Sequence, residues 1–351
     1  MSHAGSAEQC RAVLQCHPTS LCNLACIHCY SSSSPKAVRG LAPSLVAGAV
    51  EDAAALGVSV LSLSGGEPLL YYGLNEVMQT ARRLDVQVNL VSNGILIPSD
   101  RFARHADDIG VVALSLDGLR DRHNAIRKSV KQFDQVRRAA EELVARGRAF
   151  GIIHTLCSES LEELEDIAAL ASDWGASLLQ LHPFEASGRG LDATGLTPLS
   201  AEQRLDAFLI GLLLGEQYPH MRIHVDLVHR DVARHAPSAI HGSPVDEPLM
   251  PRELVLQDNG LVVPLTYGLS ASYAIANLTC ERLGAAWGNF AAVTWPALRR
   301  RLRAACLAAA RGRHGDVVAW HAVVREYAAQ AAYRVGAASG PKLSYEATRL
   351  A

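Results

Sequence analysis

The chain is predicted to be an α/β protein, a partial (β/α)6 TIM-like barrel followed by a small α+β C-terminal extension. Three observations carry that reading. Short β-branched or apolar runs alternate with longer stretches of helical periodicity through the first half, as strands joined by crossover helices do. Cysteine, glycine and short polar residues recur just after those runs, at the strand ends where parallel α/β barrels build their sites. The 351 residues, 49% of them apolar, suffice for a sizeable core.

In chain order, residues 1–10 read as an arm, 11–195 as the barrel core and 196–351 as the extension. Strands are expected at Ala12 to Gln15, Val58 to Leu63, Val86 to Val91, Val111 to Leu116, Phe150 to Thr155 and Leu178 to Leu181. Pro43 suits a first helical turn, Ser44 to Leu56 continues an alanine-rich helix, and Gly57 is placed to end it. Ser129 to Arg146 and Leu161 to Asp173 carry apolar residues at helical spacing. Beyond Gly190, Ala201 to Gln217 reads as a helix and Met221 to Asp226 as a strand. Glu253 to Gln257 and Leu261 to Val263 form a hairpin around Asp258-Asn259-Gly260, and Pro296 to Gly312 and Val317 to Val335 form two helices.

The chemistry concentrates in Cys22-Asn-Leu-Ala-Cys26-Ile-His-Cys29-Tyr30, placed after the first strand. Three thiolates on a short loop can hold three corners of a cubane iron-sulfur cluster, and with no fourth Cys in the loop one iron stays open. The same thiols with His28 or His17 could instead bind structural zinc. Disulfides are not expected, since no basic stretch followed by an apolar run marks a secretory signal. The second strand then ends in Gly65-Gly66-Glu67-Pro68, glycines that permit a close backbone approach beside a carboxylate that can accept from an ammonium group.

The cysteine triad with its following Tyr, together with Gly-Gly-Glu-Pro, resembles the radical S-adenosylmethionine (SAM) enzymes. The resemblance implies a [4Fe-4S] cluster on Cys22, Cys26 and Cys29, with SAM chelating the open iron. It also implies reductive cleavage to a 5′-deoxyadenosyl radical that removes a hydrogen atom from substrate. Gly65, Gly66 and Glu67 would meet the methionyl amine, Ser115 and Asn93 would touch SAM, Arg127 in His123-Asn124-Ala-Ile-Arg127 would pair with its carboxylate, and Tyr30 would lie against the adenine region. Ser92 and Asp117 are further short polar side chains at strand ends. Gln180, His182, Glu185 and Arg189, at or past the sixth strand, lie where related enzymes cover substrate. Cys157 is a candidate hydrogen-atom donor, as some epimerases of this kind require, or else an inert buried residue.

The hairpin and its flanking pattern resemble the SPASM or twitch extension of peptide-modifying members, which normally supplies cysteines for auxiliary clusters. Here only Cys280 and Cys306 are present, so the shape is expected without the cluster. The histidines from His220 to His241 have no regular spacing, and the proline-rich segment from Ser238 is a candidate closing loop. The substrate is expected to be a ribosomally made peptide, with a small molecule such as a sugar or nucleoside as the alternative and a noncatalytic zinc or iron-sulfur protein as the remaining one. An external electron donor such as flavodoxin or ferredoxin is implied. With 33 basic and 35 acidic residues, no nucleic acid or membrane partner is expected, and a reducing cytoplasm is the expected compartment.

Overall fold

The computed structural model describes residues 11–38, 40–235 and 251–336. The expected N-terminal arm and most of the proline-rich segment, with His241, lie outside them. The strands are β1 Ala12–Cys16, β2 Val58–Leu63, β3 Gln87–Ser92, β4 Ile109–Ser115, β5 Phe150–Leu156, β6 Leu178–Pro183, β7 Arg222–Val225, β8 Val228–His229, β9 Glu253–Leu256, β10 Leu261–Pro264, β11 Ala276–Asn277 and β12 Val317–Val318. Ten of them form one sheet in the order β11-β10-β9-β1-β2-β3-β4-β5-β6-β7, while β12 and β8 pair separately. From β9 to β7 every neighbouring pair is parallel. The hairpin strand β9 docks beside β1 and β7 adds to the far edge, so residues on both sides of position 195 share one sheet.

The helices are α1 Pro43–Ala55, α2 Leu74–Arg83, α3 Asp100–Ala103, α4 Arg120–Arg127, α5 Gln132–Ala145, α6 Leu164–Asp173, α7 Ala201–Gln217, α8 Arg230–His235, α9 Leu283–Asn289, α10 Trp295–Ala310 and α11 Trp320–Gly336. Gly57, at φ 95°, follows α1 as its composition suggested. Ser129 to Arg146 is shorter than expected: α4 ends on Lys128 in the left-handed region, and α5 begins only at Gln132. Asn124 bridges the break, its Oδ1 accepting from Phe133 N at 2.9 Å and its Nδ2 donating to Val130 O at 3.0 Å. The side chain thus takes up a donor that the start of α5 leaves unpaired.

Strand alternation separates two faces. Leu14, Cys16, Leu61, Leu63, Val88, Leu90, Val112, Leu114, Ile152, Leu179 and Leu181 are buried in the main core, into which the helices also pack. The intervening Gln15, Ser62, Asn89, Ser115, Thr155, Gln180 and His182 are only half-buried. That second face is polar and open, and the loops at its carboxyl end carry the cysteines.

Candidate functional site

The cysteine loop is held from several sides. After β2, Gly66 N donates to Thr19 O at 2.8 Å and Glu67 N to Leu21 O at 2.9 Å. A Cβ on Gly66 would stand 2.2 Å from Leu21 O, and one on Gly65, at φ 104°, would stand 2.8 Å from Thr19 O. The close approach that both glycines permit is therefore made to the chain just ahead of Cys22. From α4, Ile126 O accepts from Ile27 N at 2.9 Å. From the turn after β6, Arg189 N donates to Cys29 O at 3.0 Å, its Nε to Cys26 O at 2.9 Å and its guanidinium to Ser33 O at 2.7 Å. Arg189, read from sequence as a residue over the substrate, is a brace of this loop.

The three thiols are free; Cys22 and Cys26 are buried, Cys29 is half-buried, and all three pack with Leu24 and Ile95. Burial pushes the Cys22 thiol up to about 12 and raises Cys26 as well, despite the nearby Arg127 charge. Such thiols ionise readily only when a cation takes the charge. Donors are aimed at two sulfurs: Leu24 N at 3.4 Å and Asn93 Nδ2 at 3.8 Å from Cys22 Sγ, and Arg127 at 3.7 Å from Cys26 Sγ. Among the described residues, no group of three or more His, Cys, Asp or Glu is arranged to hold a single metal ion. Three thiolates that each take a different iron of a cluster need no such convergence, and donors to sulfur are the surroundings such clusters use. The donor set fits a three-cysteine cluster.

Glu67 is fully buried and points inward. Its carboxylate accepts from Ser92 Oγ at 3.1 Å, Asn93 N at 3.0 Å and Leu69 N at 3.2 Å. Burial pushes its pKa up to about 7 against those hydrogen bonds. The side chain ties the end of β2 to the end of β3. Asn93 in turn donates to Asn23 Oδ1 at 2.6 Å, which locks the β3 end onto the loop.

Asp117, two residues past β4, is the hub of a closed network. Its Oδ2 lies 2.6 Å from Arg127 Nε and 2.8 Å from His28 Nε2, and its Oδ1 accepts from Thr155 N at 3.2 Å. Burial alone would raise the Asp117 pKa, but the charges of Arg127 and His28 hold it well below the usual carboxylate range. Arg127 and Asp117 were both read from sequence as ligand contacts, and the structure pairs them with each other. Ser115 stands half-buried on the open face. Tyr30, 38% exposed, meets Tyr267 and His17 edge-on at ring-centre distances of 5.0 Å and 5.9 Å, so the segment after β10 reaches the cysteine-loop end of the sheet. Cys157 is apart from these groups, buried with Ile126, Phe184 and Leu196.

A second polar group lies across β6 and β7. Asp226 accepts from Gln180 Nε2 at 2.8 Å and lies 2.7 Å from His182 Nδ1 and 2.9 Å from His224 Nε2. Glu185 pairs with Arg325 of α11, whose guanidinium also donates to Thr266 Oγ1 at 3.1 Å. Burial pushes nearby Glu253 up to about 7, with the Asp226 charge adding to it. Sequence reading named Gln180, His182 and Glu185 but missed Asp226 and Arg325. The available signal was the period of two, which puts 180 and 182 on one face of β6 and 224 on the matching face of β7.

Comparison with known proteins agrees with this geometry. The chain is 30% identical over 211 residues to the mycofactocin maturase MftC of Mycolicibacterium smegmatis, covering 58% of this chain and 54% of that protein. It is 34% identical over 172 residues to the PqqA peptide cyclase of Ruegeria pomeroyi, covering 46% and 44%. The chain thus spans about half the length of these curated relatives. The fold is similar to that of anSMEcpe solved with AdoMet and the Cp18Cys peptide, at TM-score 0.63 and 16% identity over 93% of this chain and 98% of that one. Residues 17–171 match the model of the Radical SAM superfamily, the range that holds the cysteine triad and the glycine turn.

Proposed function

We propose that this chain is a radical SAM enzyme that acts on a ribosomally made peptide. The observation that carries the reading is the loop of three free thiols, clamped to the Gly65-Gly66-Glu67 turn at the carboxyl ends of β1 and β2. Cys22, Cys26 and Cys29 would hold a [4Fe-4S] cluster, and Gly65, Gly66, Asn93, Ser115 and Tyr30 line the side on which SAM would lie. When bound, the two supply an electron and a 5′-deoxyadenosyl radical able to take a hydrogen atom from a C–H bond. The chain's own part is to fix the loop, through Arg189, Glu67 and Asn93, and to offer the half-buried polar face as a place for substrate. The maturase and peptide cyclase among the relatives support a peptide over a small molecule.

In this reading residues 11–195 are the radical core, and 196–351 are a SPASM-like extension without an auxiliary cluster that packs a strand onto β1 and sends Tyr267 and Arg325 toward the site. A cytoplasmic flavodoxin or ferredoxin would deliver the electron. Among the described residues no helix is long and apolar enough to cross a membrane. The test has two arms. The reduced, anaerobically reconstituted protein should form 5′-deoxyadenosine from SAM, and Cys26→Ala should form none. Short peptides encoded beside the gene should then lose or shift mass on incubation; nucleoside formation with no change in any of them would turn the search to small molecules.

A further inference from the structure

The guanidinium of Arg127 has its nitrogens divided between two partners. Nε lies 2.6 Å and a terminal nitrogen 2.5 Å from the same Asp117 oxygen, and the other terminal nitrogen lies 3.7 Å from Cys26 Sγ. The pair is fixed in place. Asp117 is 1% exposed and also binds His28, which sits between Cys26 and Cys29, while Thr155 N holds its other oxygen. The last turn of α4, which carries Arg127, is joined to the loop through Ile126 O and Ile27 N. Swinging the guanidinium away would leave a buried carboxylate with His28 and one backbone N–H as its remaining partners, a costly change. Arg127 is therefore already engaged and does not stand free for a ligand carboxylate.

We propose that Arg127, positioned by Asp117, tunes the reduction potential of the cluster through its contact with the Cys26 sulfur. The proposal rests on reading Cys22, Cys26 and Cys29 as the cluster ligands. Hydrogen bonds to ligand sulfur and nearby charge are among the main determinants of iron-sulfur potentials. The Arg127–Asp117 pair is a dipole with its positive end against the sulfur, and it favours the state carrying one more electron. His123, whose Nδ1 accepts from Asp117 N at 3.0 Å, is neutral because burial lowers its pKa to about 3, and it adds no competing charge. Gln, Lys and Asn replacements separate the charge from the contact.

The test is the midpoint of the reconstituted full chain in the absence of SAM, titrated with mediators and read by electron paramagnetic resonance. A carboxylate-binding role for Arg127 would leave that SAM-free midpoint unmoved. For Arg127→Gln, the reduced-to-oxidised ratio at the wild-type midpoint should fall about tenfold, a shift of about 59 mV for a one-electron couple. Arg127→Lys should shift in the same direction by less, because the charge stays and the fork is lost. Asp117→Asn should shift the midpoint upward, since the arginine charge is then uncompensated. Unchanged midpoints in both arginine variants, at wild-type iron content, would overturn the proposal. Shifts of one sign in the Gln and Asn variants would overturn it too, as a general loosening of the loop. If Arg127→Gln holds no iron, Arg127→Lys decides, and the arginine variants decide alone where Asp117→Asn does not fold. A wild-type chain that holds no cluster defeats the cluster reading itself, whereas a loaded cluster with unmoved midpoints defeats only the tuning role.

Discussion

Two aspartates organise the open face of this sheet, and they do so differently. Asp117 gathers Arg127 and His28, whose side chains are 11% and 10% exposed; Asp226 gathers His182 and His224, at 40% and 52%. The first network is shut and touches the cysteine loop. The second is reachable: His182, bound to Asp226 through Nδ1, and His224 both keep much of their side chains exposed. A closed network fixes charge beside a metal site, whereas an open one can exchange protons with solvent or with a bound molecule.

The largest expected effect breaks the closed side. Asp117→Ala leaves the arginine charge buried with no carboxylate and should cost about 3–5 kcal/mol of stability. Asp226→Ala, whose partners can turn to water, should cost about 1 kcal/mol. Urea unfolding compares them, and equal losses would erase the distinction. Next comes Gly66→Ala, whose Cβ would meet Leu21 O at 2.2 Å; overpacking there should cost about 1–3 kcal/mol and reduce iron retention with it.

A smaller effect is the pH dependence of the open side. The Asp226 hydrogen bond and charge raise His182 above its ordinary 6.5 despite burial, and the Asp226 hydrogen bond raises His224. Raised histidine pKa values contribute stability that is complete below about 6.5 and lost as pH climbs through the folded values. Asp226 is held well below its ordinary 3.8 by those same partners, although burial opposes this, so its own contribution is lost only as acid protonates it. Wild type should therefore lose melting temperature as pH climbs above about 6.5, and Asp226→Asn should lose less; both rings are substantially exposed, so the amplitude is modest. A steeper loss in the variant would contradict the assignment. The smallest expected effect is at Cys157, where Cys157→Ser should leave 5′-deoxyadenosine formation unchanged because the thiol is packed among Ile126, Phe184 and Leu196.

The strands were readable because each is a run of apolar residues between turn residues. β2 falls where the pattern put it, and the other five core strands lie within a few residues of theirs. The cysteine triad and the Gly65-Gly66 turn were readable because metal ligation and close approach restrict residue type. Partners joined across the fold were not. Nothing in a linear pattern links Asp117 to His28, Arg189 to the carbonyl of Cys26, or Asp226 to His182, because those contacts arise only when strand ends meet. The same blindness hid the docking of β9 onto β1: a hairpin signal specifies its own turn and leaves its neighbour in the sheet open.

The most direct test of the account is the iron content and electron paramagnetic resonance spectrum of the reduced, anaerobically reconstituted chain, with and without SAM. About four irons per chain and a signal that changes on adding SAM are expected, with both lost in Cys26→Ala. Zinc in place of iron, or an iron-sulfur signal indifferent to SAM, would contradict the claim that these three cysteines leave one iron open for it.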